Sequence, residues 1–405
     1  MKPVGPIPPA YAGQAVLSVA GRSAKAWAEQ GTPLYLYDLG AITRRIGDLR
    51  ASIPEQIGLH YAVKANPYEP LVAAVAPLVD GLDVASAGEL SLALRHKPAE
   101  AISFAGPGKR DFELEAAIGA GATLNLESEG EAERALAVGA RLGITPKLAV
   151  RVNPDFELRG SGMRMGGRAS PFGIDAARVP ALVKRLIAAG ADWRGFHIFA
   201  GSQSLDTAAI IETQAATVAL ARRLSEEAGV MPPLVNLGGG FGIPYFAGDT
   251  PVDLPAVGAA LGQAVAAFPG AQFAIELGRC LVGEAGIYLT RVIDRKESQG
   301  ETFLVVDGGL HQHLAATGNF GMVVRRNYPV AVAHRMGDAP EETVSVVGPL
   351  CTPLDRLADK VALPRAEVGD VIAIFASGAY GASASPAAFL GHAPVREVLA
   401  AIPHT

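Results

Sequence analysis

The chain has 405 residues, 49% of them apolar, and a formal net charge of −5. That is ample apolar material for a full core, the length suggests two domains, and the lack of any long run of one charge sign argues against a nucleic-acid partner. No apolar stretch reaches membrane-spanning length free of charges or turn residues, so no membrane partner is expected, and two widely separated cysteines, Cys280 and Cys351, disfavour a disulfide framework and fit a reduced, cytoplasmic compartment.

The start, Met1 to Pro9, is proline-rich with no apolar signal core and reads as an extended arm. Residues 1–30 are expected to pack with a C-terminal domain. Strand-like Leu34–Tyr37 comes next. Eight short apolar runs then alternate with helix-like stretches such as Glu129–Leu142 and Thr207–Glu227. The runs are Leu59–Asn66, Leu82–Ser86, Ile102–Ala105, Thr123–Glu127, Leu148–Asn153, Gly195–Phe199, Leu234–Leu237 and Phe273–Leu277. Each has the length of a buried parallel strand. Eight strand–helix repeats predict an α/β fold, a (β/α)8 barrel over residues 31–277. A doubly wound open sheet is the alternative, although no G-x-G-x-x-G opens an early helix. Beyond Leu277 the texture changes. Ile287–Asp294, Thr302–Asp307, Val330–Ala333, Thr343–Val347 and Val371–Phe375 read as strands with few helices between, so residues 278–405 are expected to form a mainly β domain.

The residues with chemical content cluster at the ends of the eight runs, the face on which barrel enzymes keep their chemistry. Lys64 ends the first, in His60-Tyr61-Ala62-Val63-Lys64-Ala65-Asn66-Pro67. A lysine held there can form a Schiff base with an aldehyde cofactor such as pyridoxal 5'-phosphate (PLP); a solvated strand-end lysine is the bland alternative. Asp83 and Ser86 end the second run, Glu127 the fourth, Arg151 and Asn153 the fifth. The sixth carries His197 and leads into Gly201-Ser202-Gln203. The seventh ends in Gly238-Gly239-Gly240, and the eighth gives Glu276-Leu277-Gly278-Arg279. Consecutive glycines let backbone N–H groups crowd an anion, and barrels often bind phosphate after strands seven and eight. Glu276 suits the ring nitrogen of PLP, because a carboxylate favours the protonated ring that accepts electrons from departing CO2.

With these motifs in place, the chain resembles the fold-type III PLP-dependent decarboxylases, the relatives of diaminopimelate and ornithine decarboxylases with an alanine-racemase-like barrel and a C-terminal β domain. The resemblance runs from about residue 30 to about 390 and takes in Tyr61–Asn66, Asp83–Glu89, Gly106–Lys109, His197–Gln203, Gly238–Gly242, Glu276–Arg279, Asp307–Gly309, Gly348–Cys351 and Gly378–Tyr380. It implies amino-acid decarboxylation, with Lys64 carrying the cofactor, His197 stacked on the ring and Glu276 at its nitrogen. Asp83, Ser202, Gly239, Gly240, Gly278, Arg279 and Tyr380 would complete the cofactor site. It also implies a head-to-tail homodimer in which Cys351, as general acid, together with Asp355 and Tyr380 at the substrate, serves the neighbouring subunit's barrel. Arg279 would reach phosphate or substrate, and Cys280 would be packing.

Two departures bear on the substrate. Diaminopimelate decarboxylases carry a glutamate after the active-site cysteine, where this chain has Thr352, and a basic residue before Phe-Gly, where it has Pro171. Residues 160–168, rich in glycine and arginine, read as a mobile basic lid. The wording of the chain is similar to the exosortase- and exopolysaccharide-associated branch, and to the branch that decarboxylates an aminoacyl group on a carrier protein. A basic, diamino or acidic amino acid, free or carrier-bound, is the expected substrate. A racemase on the same fold is disfavoured by Glu276, and a non-catalytic partner-binding relative by the full set of cofactor residues. No metal site is expected.

Overall fold

The computed structural model describes residues 1–156, 163–164, 169–322 and 324–402. The lid expected at 160–168 lies outside them, except for the backbone of Met163–Arg164. Two compact units emerge, one of residues 46–242 with 251–278, the other of residues 1–45, 243–250 and 279–405.

The first unit is a closed barrel of eight parallel strands, Ile57–Ala62, Gly81–Val84, Ile102–Phe104, Thr123–Leu126, Lys147–Asn153, Asp192–Ile198, Leu234–Gly239 and Gln272–Leu277. Each pairs with the next, and the eighth closes on the first through Glu276 opposite His60 and Leu277 opposite Tyr61. All eight expected runs are barrel strands, so the open-sheet alternative falls. Four of the helices that follow the strands begin at polar caps. Ser86, Ser128, Asp206 and Asp253 each accept a backbone N–H from the first turn of the helix they precede. Glu129–Leu142 is a helix as expected, and the long helix runs Thr207–Ala228.

The second unit is built on Gly286–Ser298, a long strand that pairs antiparallel with Glu301–Val306, with Val371–Ile374 and with Leu34–Asp38. Leu34–Asp38 also pairs in parallel with Arg396–Ala400. The expected domain boundary at residue 31 therefore moves. Leu34–Asp38 is buried throughout and finds its backbone partners in the β sheet. Arg356–Leu363 and Arg396–Ala400 are strands that the sequence reading did not mark. Tyr11, Leu17, Val19, Ala24 and Ala28 join the core of this unit, against Leu34, Leu36, Ile287, Leu289 and Phe375. Among the described residues no helix is long and apolar enough to cross a membrane.

Candidate active site

Lys64 lies in a single 3-10 turn, Val63–Ala65, immediately past the first barrel strand. Its Nζ donates to Glu276 Oε1 at 2.9 Å. The lysine side chain is 45% exposed, and the glutamate only 3%. The amine is thus reachable while its partner is sealed in the barrel. The second carboxylate oxygen, Oε2, lies 3.0 Å from His197 Nε2, on the sixth strand. With a carboxylate as acceptor, Nε2 carries the proton. Burial opposes ionisation of Glu276, but the Lys64 ammonium and His197 outweigh it and hold the carboxyl well below the usual carboxylate range. His197 Nδ1 is buried and has no hydrogen-bond partner among the described residues.

The triple glycine shows why no side chain fits there. A Cβ on Gly239 would lie 1.9 Å from the Glu276 carbonyl oxygen. Gly240 has φ +81°, and its Cβ would meet the Gly201 carbonyl at 2.1 Å. The turn is laced to the loop after the sixth strand, since Ser204 N–H donates to Gly240 O at 2.9 Å and Gly242 N–H to Ser204 O at 2.8 Å. Ser202, in that loop, is thereby brought beside the glycines. Gly278 packs against the Lys64 turn, where a Cβ would sit 2.7 Å from that of Ala65. Lys64, His197, Ser202, Gly239, Gly240, Glu276 and Gly278 thus share the C-terminal face of the barrel.

Asp83 pairs with a histidine. Its Oδ2 lies 3.2 Å from His60 Nδ1, a pairing the sequence reading did not anticipate. Next to the face, Glu127 and Arg151 form a buried ion pair at 2.8 Å, and Glu127 also accepts the backbone N–H groups of Gly106 and Gly173. Lys109, buried, donates to Glu131 at 2.5 Å and to the carbonyls of Gly106 and Asn125. These pairs fix the loops after strands three to five.

In the β unit, Arg279 donates to the Tyr245 hydroxyl at 3.0 Å and lies 4.7 Å from the Tyr380 ring centre. Tyr245 escaped the sequence reading because only the fold brings residues 243–250 beside Arg279. Cys351 is exposed on a loop, and Cys280 is buried, its thiol pushed up by that burial. Asp355, expected at the substrate, turns inward instead. It is buried, and its oxygens accept the N–H groups of Leu310 at 2.6 Å and Leu350 at 2.8 Å. Glycine at 309 and 348 leaves room for it, and the carboxylate holds the Cys351 loop.

Residues 39–283 match the family model described as the pyridoxal binding domain of pyridoxal-dependent decarboxylases. The chain belongs to the pyridoxal-dependent decarboxylases. It is a PLP-dependent amino-acid decarboxylase, a carboxy-lyase. It is 38% identical, over 91% of its length and 88% of the relative's, to the L-glutamyl-[BtrI acyl-carrier protein] decarboxylase of Niallia circulans. It is 33% identical to the diaminopimelate decarboxylase of Archaeoglobus fulgidus, over 87% of this chain and 84% of that one. The crystal structure of M. jannaschii diaminopimelate decarboxylase in complex with L-lysine superposes with a TM-score of 0.87, at 26% identity, over 98% of this decarboxylase and 93% of that chain. The racemase and non-catalytic readings find no support among these relatives.

Proposed function

We propose that Lys64 carries the cofactor and that the substrate is an aminoacyl group, of the glutamyl class, held on a carrier protein. The observation behind the first part is the cluster of one reachable amine, one sealed carboxylate and one buried imidazole beside a glycine cradle. These residues fit PLP, with an amine for its aldehyde, an anion for its ring nitrogen and N–H groups for its phosphate. When bound, PLP supplies a ring that accepts the electron pair left as CO2 departs.

The roles of the chain follow from placement. Lys64 offers the covalent anchor. Glu276, the sealed carboxylate beside Lys64 and His197, would hold a proton at the ring nitrogen of bound PLP. His197 packs against the ring and excludes water. Gly239, Gly240 and Ser202 cradle the phosphate, with Gly278 keeping the Lys64 turn close, and Arg279, together with Tyr380 of the partner subunit, is proposed for the cofactor as well. Cys351 of the partner subunit gives a proton to the substrate carbon after CO2 leaves, and Asp355 positions that cysteine's loop. The reading includes a cytoplasmic homodimer. An association with exosortase systems is an expectation from the sequence.

The carrier reading is supported by the activity that names the Niallia circulans relative and by Thr352 and Pro171, which depart from the diaminopimelate pattern. Since the α-carboxylate must be free to leave, attachment has to be through another group, the side-chain carboxyl in a glutamyl substrate. The test compares CO2 release from free glutamate, free diaminopimelate and a side-chain glutamyl thioester on purified acyl-carrier protein. The thioester should exceed the free acids in kcat/KM by about a hundredfold, ~2.7 kcal/mol of transition-state binding. A free amino acid turning over as well would overturn the carrier reading.

A further inference from the structure

The pairing of Asp83 with His60 lies beside Glu276. His60 stands directly across from Glu276 in the strand register and across from Gly81 on its other side. Residues in register on neighbouring parallel strands point to the same face of the sheet. His60 and Glu276 therefore share the barrel interior. Gly81 makes the room, because a Cβ there would lie 2.7 Å from the imidazole ring. The ring also lines a cavity of about 50 Å³, with Ser103, Asn125, Asn236, Glu100 and Arg194. That is space for about three waters.

The charges around His60 are mostly negative. Asp83 touches it, and Glu276 and Asp80 face it from the neighbouring elements. Burial alone would push the imidazole down, yet these carboxylates raise it above its ordinary value.

We propose that His60 is a positioning residue for the decarboxylation. As a cation within the barrel it balances Asp83 and Glu276, and so keeps the Glu276 carboxylate ionised and correctly aimed. The inference rests on the reading that Glu276 serves the ring nitrogen. It extends the site by one layer, from the residues that touch the cofactor to the charge that supports them.

The sign is fixed by the charges. Removing a cation near Glu276 makes its protonation easier. The acid limb of activity should then move to higher pH. His60 is charged on that acid side, so the effect is present where it is read.

The experiment uses purified holoenzyme of the parent, His60→Gln, Asp83→Asn and Glu276→Gln. Two readouts are taken from pH 7 down to the acid limit of the holoenzyme's stability, kcat and the absorbance band of the bound cofactor. His60→Gln should move both midpoints up by about one pH unit, equivalent to one unit in the supported carboxyl. Asp83→Asn, which removes an anion while His60 stays charged on the acid side, should move them the opposite way by less. Unmoved midpoints in both variants, with a Glu276→Gln enzyme that has lost the acid limb, would overturn the role of His60 while sparing that of Glu276. A uniform loss of kcat at every pH with a lowered Tm would reduce His60 to packing, and also overturn the proposal. A Glu276→Gln enzyme with the parental limb and band would remove the underlying reading instead. Should His60→Gln fail to fold, His60→Asn carries the test.

Discussion

His313 makes the β unit sensitive to acid, and the size of the effect follows from its surroundings. The imidazole is fully buried among Tyr35, Tyr288 and Tyr328. Its Nε2 lies 2.8 Å from Ser377 Oγ, a hydroxyl within donor range of the Ile374 and Phe375 carbonyls, while Nδ1 accepts from Ala316 N–H at 3.4 Å. A second proton would have to enter at Nδ1, against that N–H and without water. Burial accordingly lowers the pKa from 6.5 to about 3. The unfolded chain binds the proton and the folded chain does not. Stability from this residue is thus complete above pH 6.5 and lost as pH falls toward 3. Between pH 7 and 4.5 the loss is about 2.5 kcal/mol, at ~1.4 kcal/mol per unit. The figure is insensitive to the folded value, which lies well below 4.5. Urea unfolding of the parent and His313→Gln, at fixed excess PLP, measures it. The parent's advantage over the variant at pH 7 should shrink by about 2.5 kcal/mol at pH 4.5. A gap that stays constant within about 0.5 kcal/mol would refute a neutral His313.

Gly240→Ala should weaken PLP retention by about tenfold or more, since the positive φ alone costs ~1–2 kcal/mol for a residue with a Cβ and the methyl meets the Gly201 carbonyl; equilibrium dialysis giving affinity within twofold of the parent would count against the cradle. Mixing inactive Lys64→Ala with inactive Cys351→Ala under subunit exchange should restore roughly a quarter of parental activity, because a two-fold dimer then holds one site with both lesions and one with neither. No recovery despite proven exchange would place Lys64 and Cys351 in the same site of one chain.

The barrel was legible because each strand is a continuous apolar run and the chemistry sits where the runs stop. Lys64, His197, Gly239, Gly240 and Glu276 could be gathered onto one face by counting strands alone. What escaped was whatever depends on register or on distant chain. The His60–Asp83 pair needs the alignment of two strands, since nothing near His60 in sequence announces its partner. Asp355 resembles a substrate contact in its motif, yet the glycines at 309 and 348 let its carboxylate fold back onto amides. Leu34–Asp38 reads correctly as a strand ahead of the barrel, but its neighbours come from the far end of the chain, so the sequence did not show which sheet it joins.

That last strand has a bearing on how the molecule is made. Leu34–Asp38 lies between Gly286–Ser298 and Arg396–Ala400. On the ribosome it emerges early and must wait through synthesis of the whole barrel before either neighbour exists. The barrel strands, by contrast, pair in order of synthesis, closing when Gln272–Leu277 meets Ile57–Ala62. Until residues 396–400 are translated, the early strand keeps an unpaired apolar edge, the kind of surface that recruits chaperones or another nascent chain. Biogenesis of this decarboxylase is therefore most exposed to error in the interval between closing the barrel and completing the sheet.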